Sequence, residues 1–320
     1  MRKNNFYLEF TTDQGEPITF PIGIVEGDKP GPTIAIVGGV HGAECCGVAA
    51  AIELYQDLKP EDISGKVIIC TCFNKEAFEQ HMAFFVPRDM KSPLLGDGAK
   101  LPENATYSDY MTHFFHTKVL DDIDYFVELH GGDVPEGLTD FVMYPVTGNK
   151  EVDDKSKQIA EAYDIPFVLN LPSSTPDTPG TKVTQSCFMV MASKGIPALL
   201  TETGEFGLYN PENTQVHLKG LKNILRSIGI LNEDVIRTKE QKHRQYVGSM
   251  RSPLNGLWYP FKSIGDTVKK DELVGRIADY FGETIVEIHA PFDGEIVAMR
   301  NNLYVNMGHA MYYLVEPGSE

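Results

Sequence analysis

The sequence is short of positive charge and of long apolar runs, and each shortage excludes a class of protein. Its 320 residues hold 28 lysines and arginines against 45 aspartates and glutamates, a net charge of −17 at pH 7. Because such a chain repels phosphate groups, we expect no nucleic acid and no anionic membrane as a partner. No apolar run approaches the ~20 residues that a membrane-spanning helix requires. A small-molecule substrate is the expected partner, and a homo-oligomer is compatible with the sequence.

The cysteines are few and odd in number, which argues against a disulfide scaffold. Two of the five are adjacent, and most lie in or beside apolar sequence: Cys45, Cys46, Cys70, Cys72 and Cys187. The first ten residues, MRKNNFYLEF, carry two basic residues but no apolar core of a secretory signal. We therefore expect a reduced, cytoplasmic protein with buried thiols.

Glycine and proline divide the first part of the chain into alternating strands and helices. An edge strand at 17–25 and a buried strand at 33–37 precede a helix at 44–58 and a buried strand at 66–72. This β–α–β order favours a mixed or parallel sheet with helices on its faces. Strands are also predicted at 124–130, 139–146 and 197–203, and helices at 107–120, 153–163 and 211–228. The segments 84–103 and 170–180 read as loops, and a loop as long as 84–103 is often functional.

The pattern changes near residue 247, so the sequence predicts two domains, 1–246 and 247–320. The last seventy or so residues alternate short strands with turns, as small all-β domains do. The string HAPFDGEI resembles half of a lipoyl/biotinyl-type barrel, whose carrier form bears a modified lysine on the hairpin turn. The corresponding turn here, ADYFGETI, has no lysine. We therefore expect a structural or lid domain rather than a carrier.

Candidate metal ligands lie at predicted strand ends. In GGVHGAECCG, His41 and Glu44 are three residues apart at a strand-to-helix turn, and His130 ends the strand DYFVELH. Catalytic zinc sites use three protein ligands, often two histidines and a carboxylate, and keep one position open. The carboxyl ends of neighbouring strands meet at one edge of an α/β sheet. Glu202, in TETG, ends a third strand and is the candidate general base; its rival Glu205 is expected to be solvated.

Several strings in this order resemble the succinylglutamate desuccinylase/aspartoacylase family, zinc hydrolases related to the metallocarboxypeptidases. They are GVHGAE, ELHGG, GIPALLTETG, GLKNILRSIGIL, IGDTVKKDELVGRI and HAPFDGEI. The resemblance covers most of the chain. It implies an α/β fold, a zinc-carboxypeptidase-like mixed sheet flanked by helices, with a smaller C-terminal all-β, barrel-sandwich-like domain. It also implies one zinc ion at His41, Glu44 and His130, general-base work by Glu202, and cleavage of an amide bond through a metal-bound water.

The sequence departs from the family where the family's arginines stand. Counting from Asn74, the first arginine would fall near 83–84 and an Asn-Arg pair at 94–95, where the chain has Ala-Phe and Leu-Leu. In the family these groups polarise the scissile carbonyl and hold a substrate carboxylate. Either Arg88 or Lys91, on the same loop, replaces them, or the substrate lacks that carboxylate. Glu128 also stands where the family has aspartate.

The sequence therefore predicts a zinc-dependent deacylase that acts on a small N-acyl amino acid or related compound. Two alternatives stay open: a metallopeptidase acting on short peptides, and a zinc-binding protein with little turnover. Asn74, Arg88, Lys91 and Tyr144 are candidate substrate-binding residues, although packing explains Tyr144 equally well. Cys45 and Cys46 are interpreted as packed residues at a helix start, because adjacent helical side chains point about 100° apart.

Overall fold

The computed structural model describes residues 2–83, 85–92, 94, 96–175 and 185–318. In chain order the helices are α1 Cys45–Asp57, α2 Lys75–Glu79, α3 Tyr107–Lys118, α4 Lys150–Ala162, α5 Cys187–Ser193 and α6 Pro211–Ser227, with one 3-10 turn at Pro60–Asp62. The strands of the first part are β1 Arg2–Thr11, β2 Pro17–Glu26, β3 Lys29–Gly38, β4 Ser64–Cys70, β5 Tyr125–His130, β6 Glu136–Leu138, β7 Phe141–Val146, β8 Phe167–Pro172 and β9 Ala198–Glu202. Those of the last part are β10 Lys242–Arg251, β11 Gly256–Pro260, β12 Thr267–Val268, β13 Leu273–Ala278, β14 Thr284–His289, β15 Gly294–Arg300, β16 Tyr304–Val305 and β17 Ala310–Val315.

The described strands form a large mixed sheet and a separate four-stranded one. The large sheet runs in the order β1-β2-β4-β3-β5-β9-β7-β8-β10-β17-β15-β12, with β6 pairing to β15, and the small sheet runs β14-β13-β11-β16. In its centre β4, β3, β5 and β9 are parallel, whereas β7 is antiparallel to β9. The predicted fold class, a mixed sheet with helices and a smaller all-β part, is confirmed.

Side-chain alternation divides the core between the two faces of the large sheet. One cluster gathers Phe20, Phe73, Phe115 and Phe126, and the other gathers Ile36, Leu54, Leu129 and Leu221. Near-continuous apolar runs such as TIAIV in β3 are typical of parallel strands that are covered on both faces. No helix of the described residues has the length and apolarity needed to cross a membrane.

Parallel pairing brings the ends of β3, β5 and β9 to one edge. Gly38 pairs with Leu129 across β3 and β5, and His130 pairs with Glu202 across β5 and β9. Paired residues of neighbouring strands point to the same face, so the side chains of His130 and Glu202 lie on one face of the sheet. This edge is where the predicted metal ligands stand.

Some elements differ from the prediction. Strand β1 is not predicted, because its side chains are mostly exposed and show no alternation, yet all ten of its residues pair with β2. Helix α5 is not predicted either; Cys187–Ala192 are buried, so it has no polar face to mark its period. Strand β8 occupies the start of the predicted loop 170–180, of which 176–180 lies outside the described residues.

Strand β10 crosses the predicted domain boundary at 247. Its first residues, 242–245, pair in parallel with β8, and residues from Tyr246 onward pair with β17. Strand β6, which follows soon after His130, pairs with β15 and sets Glu136 opposite Arg300. The C-terminal strands are thus hydrogen-bonded to the first part of the chain at two places, and the division into 1–246 and 247–320 stays a prediction.

Candidate metal centre

The turn between β3 and α1 carries two of the predicted ligands, and glycines set its path. Gly39 has a φ of +64°, in the left-handed region that favours glycine. A Cβ on Gly42 would lie 2.4 Å from the carbonyl carbon of Ala77, in α2. The turn therefore packs directly on α2, which fixes the positions of His41 and Glu44.

Three side chains converge at this edge of the sheet. Ligand atoms of His41, Glu44 and His130 all lie within 4.8 Å of one another. The Nδ1 atom of His41 is 2.6 Å from Oε1 of Glu44, and Nδ1 of His130 is 2.8 Å from Oε2 of Glu44. Glu44 and His130 are buried, and the His41 side chain is 20% exposed. The structure thus brings together the three residues that the sequence singled out.

The donor set fits a metal ion. His130 Nδ1 and Glu44 Oε2 lie 2.8 Å apart as an ion pair, and neither atom makes a hydrogen bond to any other group among the described residues. Buried polar atoms that lack further partners are costly and rare, so two of them that face each other indicate a site for a shared partner. Two imidazole nitrogens and a carboxylate are the ligand types of catalytic zinc sites.

Glu128 stands behind His130. Its Oε1 is 3.2 Å from Nε2 of His130, and its Oε2 accepts the backbone N–H of Phe188 at 3.3 Å, in the first turn of α5. Ligand histidines commonly offer their second ring nitrogen to a carboxylate, which fixes the ring orientation. With Nε2 facing Glu128, Nδ1 is the nitrogen left to face Glu44.

Electrostatics favours a positive charge within the cluster. Burial opposes ionisation of Glu44, but the neighbouring His41 and His130 hold its pKa at about 2. Burial lowers the pKa of His130, yet Glu44 and Glu128 outweigh it and raise that pKa well above its ordinary value. The pKa of His41 is raised too, since Glu44 outweighs the effect of burial. A cation is stabilised here, either as a proton or as a metal ion.

Glu202 lies beside the cluster at the end of β9. Burial, and then the charges of Glu44, Glu136 and Glu128, raise its pKa well above the ordinary value, while His130 opposes that rise. Its strand end is held in place because Thr203 donates its N–H to the carbonyl of His130 at 3.1 Å. Glu205, expected to be solvated, is instead partly buried and accepts the N–H of Leu138 at 2.9 Å through Oε1.

A buried histidine that the sequence reasoning missed supports this strand end from the opposite face. His217, in α6, is 0% exposed; its Nδ1 is 2.7 Å from the hydroxyl of Tyr163, and its Nε2 is 3.3 Å from the carbonyl of Thr203. Since a carbonyl only accepts, Nε2 carries the proton and Nδ1 accepts from Tyr163. The only signal in the sequence is a polar residue on the apolar side of an amphipathic helix.

The described side-chain contacts of the four predicted substrate residues lie outside the cluster. Asn74 caps α2 by accepting the N–H of Ala77 at 3.3 Å. Arg88 donates to Glu76 at 2.8 Å and to Glu16 at 3.2 Å, Lys91 pairs with Asp109, and Tyr144 packs in the cluster on the opposite face of the sheet. Asn74 and Arg88 line a hollow of about 380 Å³ whose walls include none of the three candidate ligands. Their role in substrate binding stays a prediction.

The positions of the family's arginines are only partly described. Phe84 and Leu95 lie outside the described residues. Leu94 is buried in the core at 1% exposure. The described part of this segment therefore places an apolar side chain, not a cation, at one of the expected positions.

The two adjacent cysteines behave as packed thiols. Cys46 is buried, and its Sγ lies 3.4 Å from the carbonyl oxygen of Leu208. Burial raises the pKa of Cys45, whose Sγ lies 3.2 Å from the carbonyl of Ala43. A thiol that is held protonated is a poor nucleophile and a poor ligand, which agrees with the packing interpretation.

A second group of polar residues meets this edge of the sheet from the C-terminal strands. Glu136 is 8% exposed; its Oε1 accepts the hydroxyl of Tyr313 at 3.1 Å and lies 4.0 Å from Nη2 of Arg300. Burial raises the pKa of Glu136 to about 7, against the opposing charge of Arg300. Sequence reasoning missed these residues, because they come from segments more than 160 positions apart and share no motif.

The chain resembles known proteins in sequence. Residues 30–228 match the model of the succinylglutamate desuccinylase/aspartoacylase catalytic domain. The chain is 23% identical over 315 residues to the N-alpha-acetyl-L-2,4-diaminobutyric acid deacetylase of Halomonas elongata, covering 93% of this chain and 86% of that protein.

Solved structures share the fold over nearly the whole chain. A succinylglutamate desuccinylase/aspartoacylase from Rhodobacter sphaeroides superposes with a TM-score of 0.82 at 21% identity, covering 99% of this chain and 96% of that one. The ectoine utilization protein EutE (DoeB) from Ruegeria pomeroyi, in a product-bound structure, gives 0.83 at 20% identity, with 99% and 95% coverage.

Proposed function

Because the chain belongs to the succinylglutamate desuccinylase/aspartoacylase family, we propose that it is a zinc-dependent deacylase of a small N-acyl amino acid or related compound. The observation that carries the proposal is the convergence of His41, Glu44 and His130 beside Glu202, with two buried ligand atoms that face each other and bond to no other group among the described residues. The similarity to a deacetylase supports the deacylase activity, and that relative's named substrate, N-alpha-acetyl-L-2,4-diaminobutyric acid, belongs in any first panel.

The protein's own residues would hold one zinc ion through His41, Glu44 and His130. Zinc bound there supplies Lewis-acid chemistry, which acidifies water and polarises a carbonyl oxygen. Glu128 keeps the imidazole of His130 oriented, and the packing of the 39–44 turn on α2 keeps Glu44 in place. Such support from neighbouring groups holds ligands in the geometry that a metal needs.

Glu202 is assigned the proton transfers. In the deacylation, its carboxylate accepts a proton from the attacking water and then donates it to the nitrogen of the departing amine. A carboxyl group whose pKa burial raises is suited to both directions of transfer. Its place next to His130 in the sheet register puts it at the edge where the ligands converge.

The test is a Glu202→Gln variant of the full-length, zinc-loaded protein. We expect kcat for an N-acyl amino acid to fall by about 10²- to 10⁴-fold, the usual contribution of a general base, with the zinc content unchanged. Glu205→Gln is a matched control on the same loop, since glutamine still accepts the N–H of Leu138; its kcat should stay close to wild type. Undiminished activity in Glu202→Gln would remove Glu202 from the mechanism.

A zinc-binding protein with little turnover is the second candidate. It is favoured by the ion pairs that tie Arg88 to Glu76 and Lys91 to Asp109 instead of to a substrate. It predicts stoichiometric zinc and no hydrolysis of N-acyl amino acids. The same panel should contain dipeptides, because faster cleavage of dipeptides than of N-acyl amino acids would indicate a metallopeptidase.

A further inference from the structure

We infer that Glu136 is a specificity-determining residue that binds a protonated amine of the substrate, which makes N-acylated diamines and diamino acids the substrate class. This inference rests on the proposed deacylase function, since it concerns the same site. It is carried by the place of Glu136 in the fold, by the contacts of its two carboxylate oxygens, and by the charges around the candidate ligands.

Backbone contacts hold Glu136 against the strand end that carries Glu202. A Cβ on Gly132 would lie 2.4 Å from the carbonyl oxygen of Glu136, so the segment after His130 is tightly folded. That carbonyl accepts the N–H of Phe206 at 2.9 Å, while Gly132 donates to Gly204 at 2.7 Å. The carboxylate of Glu136 is near enough to Glu44 and Glu202 for the charges to act on one another.

The two oxygens of the Glu136 carboxylate differ in their surroundings. Both contacts with the C-terminal strands, from Tyr313 and Arg300, go to Oε1. Among the described residues Oε2 has no hydrogen-bond partner, and this oxygen is not completely buried. A side chain that is only 10% exposed thus keeps one oxygen without a protein partner. An oxygen of this kind is satisfied by a donor that arrives with a ligand.

The charge of the site selects the kind of donor. Five carboxyl groups surround the cluster: Glu44, Glu128, Asp133, Glu136 and Glu202. The guanidinium of Arg300 lies 4.0 Å from Oε1 of Glu136, on the side of the carboxylate away from Oε2. A second carboxylate, on the side chain of the substrate, is repelled by the open oxygen of Glu136, whereas a side-chain ammonium group is attracted to it. A substrate without a second carboxylate needs no cation from the protein, so Arg88 and Lys91 can remain ion-paired with Glu76 and Asp109.

A purely structural role for Glu136 makes a different prediction. If the residue serves only to join β6 to β15 through Arg300 and Tyr313, its loss weakens all substrates alike. If it binds an ammonium group, its loss weakens only the substrates that carry one. The ratio of kcat/KM values between matched substrates therefore separates the two roles.

The experiment uses the zinc-loaded, full-length wild type and Glu136→Gln. The substrates are N-acetyl amino acids whose side chains of two to four methylene groups end in an ammonium, a methyl or a carboxylate. In the wild type we expect kcat/KM to fall in that order. In Glu136→Gln it should fall roughly 10- to 100-fold for the best ammonium substrate, the effect of one charge-assisted hydrogen bond, and change little for its methyl counterpart. Tyr313→Phe, which keeps the carboxylate, should leave the ammonium preference in place.

Each other result has one meaning. Three results would overturn the inference and leave the deacylase function standing. The wild type could hydrolyse the three series at equal rates, or it could prefer the carboxylate series. Alternatively, Glu136→Gln could lose the same fraction of kcat/KM for every substrate. No hydrolysis of any substrate would overturn the proposed function. In that case calorimetric binding of the free diamino acids against their methyl counterparts still decides the inference, because tighter binding that depends on Glu136 requires no turnover.

Discussion

Replacement of His217 offers a quantitative test of the polar network behind the strand end that carries Glu202. Burial lowers the pKa of this histidine to about 4 from the ordinary 6.5, although hydrogen bonds to the carbonyls of Thr203 and His130 work in the other direction. The unfolded chain takes up the proton as the pH falls below about 6.5, and the folded chain does not until about 4. The contribution of His217 to stability is therefore complete above pH 6.5 and is lost as the pH falls towards 4.

The size of the effect follows from the two pKa values. Their difference corresponds to at most ~3 kcal/mol of unfolding free energy, of which about 2 kcal/mol is lost between pH 8 and pH 5. His217→Gln removes the titration while its amide still donates to Thr203 and accepts from Tyr163. We expect the variant to be less stable than wild type at pH 8, and the gap between them to shrink by about 2 kcal/mol at pH 5.

The assay is urea unfolding of the metal-free protein at a series of pH values from 8 to 5. A chelator is present throughout, so that metal binding does not add its own pH dependence. His243→Gln, at a histidine with a 45% exposed side chain, is the matched control and should lose stability with acid in parallel with wild type. If His217→Gln also lost free energy of unfolding with acid in parallel with wild type, the assignment of a neutral, buried imidazole to this position would be refuted.

Two further predictions concern the candidate metal centre. Glu128→Ala should weaken zinc binding about 10- to 100-fold, measured by competition with a chelator, because the His130 ring loses the carboxylate beside its Nε2; unchanged affinity would show that the 3.2 Å approach is incidental. Gly42→Ala should cost about 1–3 kcal/mol in thermal unfolding, because the new Cβ would lie 2.4 Å from the backbone of Ala77. If Gly42→Ala were as stable as wild type, the 39–44 turn could move away from α2 at little cost.

The convergence of the candidate ligands was predictable from the sequence, because it depends on local features. His130 ends a readable strand, and His41 and Glu44 follow another. In a sheet with parallel central strands these ends meet at one edge. The match to the family model confirms the resemblance that the same strings carried.

What the sequence could not supply depends on register and on distant pairing. Phe141 pairs with Glu202, and Tyr144 is three positions further along the strand, so its side chain points to the opposite face. The local sequence does not indicate on which face of the sheet the side chain of Tyr144 lies. Likewise Glu136 meets Arg300 only because β6 pairs with β15, a contact between segments that no pattern of periodicity connects.

That pairing also decides how the chain can be divided in the laboratory. A protein cut at residue 246 would lose Arg300 and Tyr313, leave Glu136 buried beside no positive partner, and free the edge of β6. The cut would also fall in the middle of β10, between its pairing with β8 and its pairing with β17. The C-terminal strands therefore share backbone hydrogen bonds with the first part of the chain at both places. Fusions and truncations that aim to preserve activity should end beyond Val315.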